Sequence, residues 1–342
     1  MKISVNQIYY SNEQEASLDP SFVPFFNTSN TGKKWFEYYV FLKEYEKISN
    51  WDNLYLGYIS WKFGAKTGIQ GKTFTEFIAN NPGQDVYFIN PFLLESLSFK
   101  NQWIHGEYHH AGLNEITKYI FEKLGYDVSI LSKPVDYRLQ LFANYWVGNK
   151  KFWDLYIAYS KPIYEFIENG NDPFIQSKIS LKADQTIDAP FIPFLMERLF
   201  TNLIVQDKSI HFLEYAYSND EMHRKYPIVS KFIPALISLS DMEKLAGNSI
   251  EIDAIRSEFW KANELLFVEF QNISQVSLWT FDFYKLVLSL KSPNALSRAF
   301  QRIWNLLGEK TESSNILRYP FFWRISILNF FINKVKSRLF SK

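Results

Sequence analysis

Three of the five histidines in this 342-residue chain fall in one short stretch, Asn101-Gln-Trp-Ile-His-Gly-Glu-Tyr-His-His-Ala-Gly-Leu113. His105 and His109 are four apart, so a helix would put them on one face, as in a zinc metalloprotease. The glutamate of that motif must follow the first histidine directly. Here it is Glu107, two positions on, which a helix would turn about 200° away from His105. Gly106 and the Ala111-Gly112 pair also weaken a helix. An extended segment instead puts His105, Glu107 and His109 on one side at the period of two. With His110, that pattern suits hydrogen bonds to sugar hydroxyls or phosphate, or acid–base work by Glu107. A purely structural polar loop and a metal site are the alternatives.

Three further constellations could do chemistry. Ser60-Trp-Lys-Phe-Gly-Ala-Lys-Thr67 sets two lysines, Lys62 and Lys66, and two hydroxyls, Ser60 and Thr67, directly after an apolar segment. Such groups neutralise a departing diphosphate, although solvated loop lysines would read the same way. The glycine spacing of a Walker loop is missing. Glu197-Arg198 stands inside the apolar run Pro190–Phe200, where a charge is costly unless paired or used. Glu197 is thus a candidate base and Arg198 its partner or a phosphate contact, against an ordinary helix with a polar edge. Asn90, Asn144 and Tyr145 carry amide and phenol groups suited to sugar hydroxyls.

The elements that must position these residues alternate. Ile3–Tyr9, Leu54–Ser60, Asp85–Ile89 and Asp127–Leu131 read as strands, and Leu139–Val147 as extended. Between them, Lys33–Ile48 and Thr73–Ala79 read as helices. Asn114 is expected to cap a helix that runs to Leu124 and stops at Gly125, and Asn149 to cap another. Asp19–Asn27, broken by Pro20 and Pro24, reads as an extended loop. The alternation predicts an α/β sheet, and in open α/β sheets ligands gather outside the carboxyl ends of the strands. From about residue 231 the strands give way to helical periodicity. The expected organisation is therefore an α/β domain over 1–230 and a helical region over 231–342.

Hydrophobic residues make up 47% of the chain against 21% charged, enough apolar surface for a substantial core. Aromatics reach 18%, which fits aromatic core packing or sugar-binding faces. A net charge of +1 gives no footprint for nucleic acid. With no cysteine there is no disulfide frame, thiolate nucleophile or Cys-based zinc site. The amino terminus turns polar too early for a signal peptide, and no apolar run approaches the ~18 residues that span a bilayer. The expected location is the cytoplasm.

The order of five segments resembles a group of bacterial glycosyltransferases with a GT-A-like fold, encoded with capsule and lipopolysaccharide O-antigen pathways. The segments are Leu54-Tyr-Leu-Gly-Tyr-Ile-Ser-Trp-Lys-Phe63, Asp85-Val-Tyr-Phe-Ile-Asn-Pro91, Asn101–Leu113, Asn144-Tyr-Trp-Val-Gly-Asn149 and Met196-Glu-Arg-Leu-Phe200. The resemblance implies a Rossmann-like sheet that binds a nucleotide-sugar donor and transfers its sugar to a glycan or lipid-linked acceptor. On that reading Glu197 or Glu107 is the base, and Ser60, Lys62, Lys66, Thr67 and Arg198 hold the donor phosphates. Asn90, His105, His109, His110, Asn144 and Tyr145 then orient sugar hydroxyls. No Asp-x-Asp occurs, which leaves dependence on a divalent metal open.

Residues 313–342 contain no Asp and, past residue 312, no Glu, but six lysines and arginines. Ile325, Leu328, Phe331, Ile332, Val335 and Leu339 would form one apolar stripe on a helix. That is the pattern of a helix lying on an anionic membrane surface, or of one docked on protein. Two rival functions stand beside glycosyl transfer. One is a metal-dependent hydrolase centred on His105, Glu107, His109 and His110; the other is a non-catalytic glycan-binding protein.

Overall fold

The computed structural model describes residues 1–27, 33–183, 189–226, 230 and 233–246. The chain divides into two compact units, Met1–Lys225 and Tyr226–Lys342, where the sequence reading put the seam at 230/231. In the first unit the strands are β1 (Lys2–Tyr9), β2 (Val23–Phe26), β3 (Leu54–Ser60), β4 (Val86–Phe88), β5 (Trp146–Gly148) and β6 (Phe212–Glu214). Its helices are α1 (Asn12–Glu15), α2 (Glu37–Lys47), α3 (Phe63–Thr67), α4 (Gly71–Asn80), α5 (Leu93–Ser98) and α6 (Gln102–His109). They continue with α7 (Leu113–Leu124), α8 (Lys150–Asn169), α9 (Pro173–Lys178), α10 (Phe191–Gln206) and α11 (Asn219–Lys225). In the second unit the described helix is α12 (Ile233–Ala246). The helices expected beyond 250 and the basic tail 313–342 lie outside the described residues.

The six strands form one sheet in the order β2-β1-β3-β5-β4-β6. All run parallel except β5, which is antiparallel to both of its neighbours. The mixed α/β class therefore holds. From β1 the chain steps to β2 on one side and then returns to β3 on the other. The carboxyl ends of β1 and β3 thus form a topological switch point, the position at which such sheets bind ligands.

Alternating side chains divide the core between the two faces of the sheet. Ile8, Leu56, Tyr58, Val86, Phe88 and Trp146 face one cluster, built with α2, α7, α8 and α10. Val5, Ile59, Tyr87, Ile89, Tyr145 and Val147 face the other, with Phe63, Phe74 and Ile78. A near-continuous apolar strand such as Asp85–Ile89 is what burial on both faces requires. Gly57 allows β5 to lie close: a Cβ there would stand 2.7 Å from the Trp146 carbonyl oxygen.

Several local expectations are corrected. Val23–Phe26 is a strand rather than a loop, and it tolerates Pro24 because β2 is the edge of the sheet. Asp127–Leu131 is not a strand: the Asp127 carboxylate accepts the Ser129 N–H at 2.9 Å and starts a tight 3-10 turn over Val128–Leu131. Of Leu139–Val147, only the end joins the sheet. Asn149 caps α8 as expected, its Oδ1 accepting the Phe152 N–H at 3.0 Å. Gly125 closes α7 in the left-handed conformation. The other end of α7 starts at Gly112 rather than Asn114, for a reason that involves Glu107.

Candidate functional site

The histidine stretch is a helix. Asn101 caps α6, its Oδ1 accepting the N–H groups of Trp103 and Ile104 at 2.9 and 2.8 Å. Its Nδ2 donates to the carbonyls of Leu131 and Lys133. Gly106 does not break the helix; it makes room. A Cβ there would lie 2.5 Å from Arg198 Nε and 2.7 Å from Leu113 Cδ2, so glycine lets α10 cross close by. The extended reading of His105, Glu107 and His109 is thereby overturned.

Glu107 is committed to the backbone. Gly112, at the cap position of α7 with φ +98°, has no side chain to close that helix. Glu107 closes it from the preceding turn, its two oxygens accepting the N–H groups of Gly112 at 2.9 Å and Asn114 at 2.8 Å. A carboxylate holding two orphan N–H groups at a helix start is a cap, and it is poorly placed to take a proton from substrate.

Arg198 is equally engaged. It is buried, and its guanidinium donates to the Gln102 carbonyl at 2.8 Å and the Phe194 carbonyl at 2.5 Å, and meets His105 Nδ1 at 3.2 Å. It rivets α10 to α6 rather than reaching a phosphate. Burial, then the neighbouring Arg198 charge, holds the His105 imidazole well below its ordinary range, so it stays neutral. His105 stacks on Phe142, and His110 stacks on Phe194 with centroids 3.6 Å apart. Glu107 stands away from the His105–His109 pair, and among the described residues no three His, Asp or Glu side chains converge as metal ligands. The hydrolase centre is not assembled. Thr67 also turns inward, its hydroxyl donating to the Phe63 carbonyl at 2.8 Å and accepting the Ile69 N–H at 3.1 Å.

Glu197 is placed differently. Adjacent residues on a helix diverge, so while Arg198 points into α6 its neighbour does not. The half-buried Glu197 carboxylate feels Lys66 first among charges, then Glu37 and Arg198. No hydrogen bond or ion pair among the described residues reaches it. Burial pushes its carboxyl up to about 7, with Lys66 opposing and Glu37 adding to the rise.

Around Glu197 lies the carboxyl edge of the sheet. Ser60 ends β3, and its hydroxyl is 3.0 Å from the Tyr145 hydroxyl. Lys66 extends over the rings of Phe92 and Tyr145, with Nζ 5.5 and 5.9 Å from their centroids. Lys62 is exposed and rests on Trp61. Glu37 opens α2 directly after Phe36, which holds φ +46°. Such a strained backbone persists only where its surroundings enforce it. Burial raises the Glu37 carboxyl, and Lys66 and Lys62 oppose the rise. Asn90 and Asn144 are buried just outside the ends of β4 and β5.

Behind Lys66 stand two more coupled charges. Lys225 donates to the Lys66 carbonyl. Its ammonium is pushed down to about 8 by burial against the pull of Glu95, and burial raises Glu95 to about 7.

The switch point therefore gathers Ser60, Lys62, Lys66, Tyr145 and Glu197. It leaves Glu107, Thr67, Arg198, His105 and His110 in the packing of α3, α6 and α10, with His109 exposed on α6. Sequence reasoning passed over Glu37, since it stands in a helix begun at Lys33 and only the Phe36 kink aims it at the edge. Glu214 and Tyr217, in and after a strand three residues long, gave no periodic signal.

No family model matches the sequence, and no curated protein does. Among solved structures the chain is similar to a bifunctional glycosyltransferase, WbbM, in its apo state, at 14% identity and a TM-score of 0.41 over 63% of this chain. The match spans 44% of that chain, less than half its length, and is a loose likeness.

Proposed function

We propose that the chain is a glycosyltransferase that moves a sugar from a nucleotide-sugar donor to a hydroxyl acceptor at the carboxyl edge of β1 and β3. The observation that carries this reading is the juxtaposition of Glu197 and Lys66 at the switch point. Among the described residues, one is a carboxylate that no hydrogen bond or ion pair reaches, with a pKa of about 7, and the other is a cation with no carboxylate bonded to it. A general base works best when its pKa lies near the operating pH. Lysines aimed at a departing diphosphate stabilise charge where it develops.

In the proposed step Glu197 takes the proton of the acceptor hydroxyl, and the oxygen attacks the anomeric carbon. The bond from that carbon to the diphosphate breaks, and the electron pair leaves with the nucleoside diphosphate beside Lys66 and Lys62. A single displacement of this kind inverts the anomeric centre. Glu107 and Arg198, spent on backbone groups, take no part.

The reading assigns the neutralising charge at the departing diphosphate to the two lysines. Transfer should then persist in EDTA. A role in surface-polysaccharide synthesis follows from the segment resemblance. Attachment to an anionic membrane through 313–342 rests on the tail's charge pattern. Among the described residues no helix is long and apolar enough to cross a membrane.

Thermal-shift screening against UDP-, GDP-, CMP- and dTDP-sugars tests donor binding, since a ligand of the folded state alone raises the melting point. Glu197→Gln should keep that shift and lose transfer. A protein that no nucleotide stabilises, or a variant that transfers at the native rate, overturns the proposal.

A further inference from the structure

Beyond the lysines, the same edge of the sheet continues along β5, β4 and β6. Phe88 stands between Trp146 of β5 and Glu214 of β6 in the ladder. The pairing then runs one step further on each side. Ile89 N–H donates to the Tyr145 carbonyl at 3.0 Å, and Tyr215 N–H donates to the Phe88 carbonyl at 2.8 Å. Asn144, Asn90 and the segment from Glu214 to Tyr217 therefore leave three adjacent strands side by side, at the strand spacing of about 4.8 Å.

Each of these segments presents polar atoms that the described protein does not satisfy. Asn90 is 1% exposed and Asn144 6%. Asn90 Oδ1 accepts the Phe92 N–H, but Asn90 Nδ2, Asn144 Oδ1 and the Tyr217 hydroxyl are enclosed without a partner. Buried polar side chains nearly always find one, and a cluster of exceptions at one edge calls for a ligand or ordered water. No hydrogen bond or ion pair among the described residues reaches the Glu214 carboxyl.

We propose that Asn90, Asn144, Glu214 and Tyr217 form a subsite for the hydroxyls of an uncharged sugar ring. The four offer a donor, an acceptor, a hydroxyl that does both and a carboxyl, the complement that vicinal hydroxyls take. The charge balance selects a neutral ring. Burial pushes Glu214 up to about 8, so it stands protonated near neutrality. The nearby Arg138 is engaged with Asp136 through two bonds, of 2.9 and 3.2 Å, leaving little to attract an anion.

The part this subsite plays in transfer rests on the proposed function; sugar binding itself does not, and the test separates them. Saturation-transfer NMR on the full chain would use methyl glycosides of glucose, galactose and mannose, N-acetylglucosamine, and methyl glucuronide as the charged control. At least one neutral sugar should bind. Asn144→Ala, Glu214→Ala and Tyr217→Phe should each weaken it by about tenfold, the loss expected for one hydrogen bond to a ligand.

Near-ultraviolet circular dichroism reports whether each variant folds. Tyr217→Phe, which removes a single oxygen, decides if the others do not. The inference is overturned if no neutral sugar binds the native chain, if folded variants bind as the native chain does, or if the glucuronide binds equally well. Sugar binding without any nucleotide binding keeps this subsite and removes the transferase reading; the reverse result removes only the subsite. Displacement of the glycoside by a nucleotide sugar but not by UDP alone marks the ring as the donor's. Binding unaffected by either marks it as the acceptor's.

Discussion

Replacing Glu197 with glutamine should stabilise the protein, and only above a definite pH. Its carboxyl rises from an ordinary 4.5 to about 7 on folding, chiefly through burial. The folded state therefore holds this proton more tightly than the unfolded chain does. Well below 4.5 both states are protonated and the group costs nothing. Between 4.5 and about 7 the unfolded chain ionises first, and stability drains away as the pH rises. Above that window the cost is constant. Each pKa unit corresponds to about 1.4 kcal/mol, so the full displacement sets a ceiling of roughly 3 kcal/mol.

Glu197 is partly reached by water, and solvent screening brings the figure to on the order of 1–2 kcal/mol. For a unit of this size that is a melting-point rise of about 2–8 °C. The measurement is the melting temperature of native protein and Glu197→Gln at pH 5 and pH 8. Other titrating groups are common to both proteins and largely cancel. The gap should be small at pH 5 and several degrees at pH 8, with the variant the more stable. A gap that is equal at both values, or that favours the native protein at pH 8, refutes the account of a desolvated carboxylate without a partner.

Other outcomes follow from the same geometry. Lys66→Met removes the cation nearest Glu197 and should move the Glu197 titration upward by roughly one unit, the scale of a charge several ångströms away at an effective dielectric of about 20. Carbon-13 NMR of labelled glutamates checks it, and a downward or absent change refutes the coupling. Glu107→Ala should cost about 1–2 kcal/mol by uncapping α7 and leave the rate per folded molecule unchanged; a lost rate with an unchanged melting point would return Glu107 to the site. Gly106→Ala drives a methyl into Arg198 and Leu113 and should cost about 1–3 kcal/mol in urea unfolding. Arg198→Met leaves buried carbonyls unsatisfied and should cost about 3 kcal/mol, while nucleotide affinity of the folded fraction stays the same.

What the sequence determined by itself was the material of local rules. Apolar segments of strand length, with Asn149 and Gly125 as start and stop chemistry, dictate the alternation of strands and helices. Ser60, which ends the segment Leu54–Ser60, and the lysine pair that follows can lie only at the carboxyl end of that strand. Pairing across space was not legible. β2 is held by a ladder to Asn6–Tyr9 despite its proline, and the three residues of β6 are a strand only because β4 lies beside them.

The side-chain roles were decided in the same way. Glu107 and Glu197 look alike in the sequence, each a carboxylate near aromatics. The tertiary structure separates them because, among the described residues, one meets two backbone N–H groups and the other meets none. Glu197 and Arg198, adjacent in the chain, point 100° apart on their helix, so the packing of α6 against α10 takes the arginine and leaves the glutamate for the edge of the sheet.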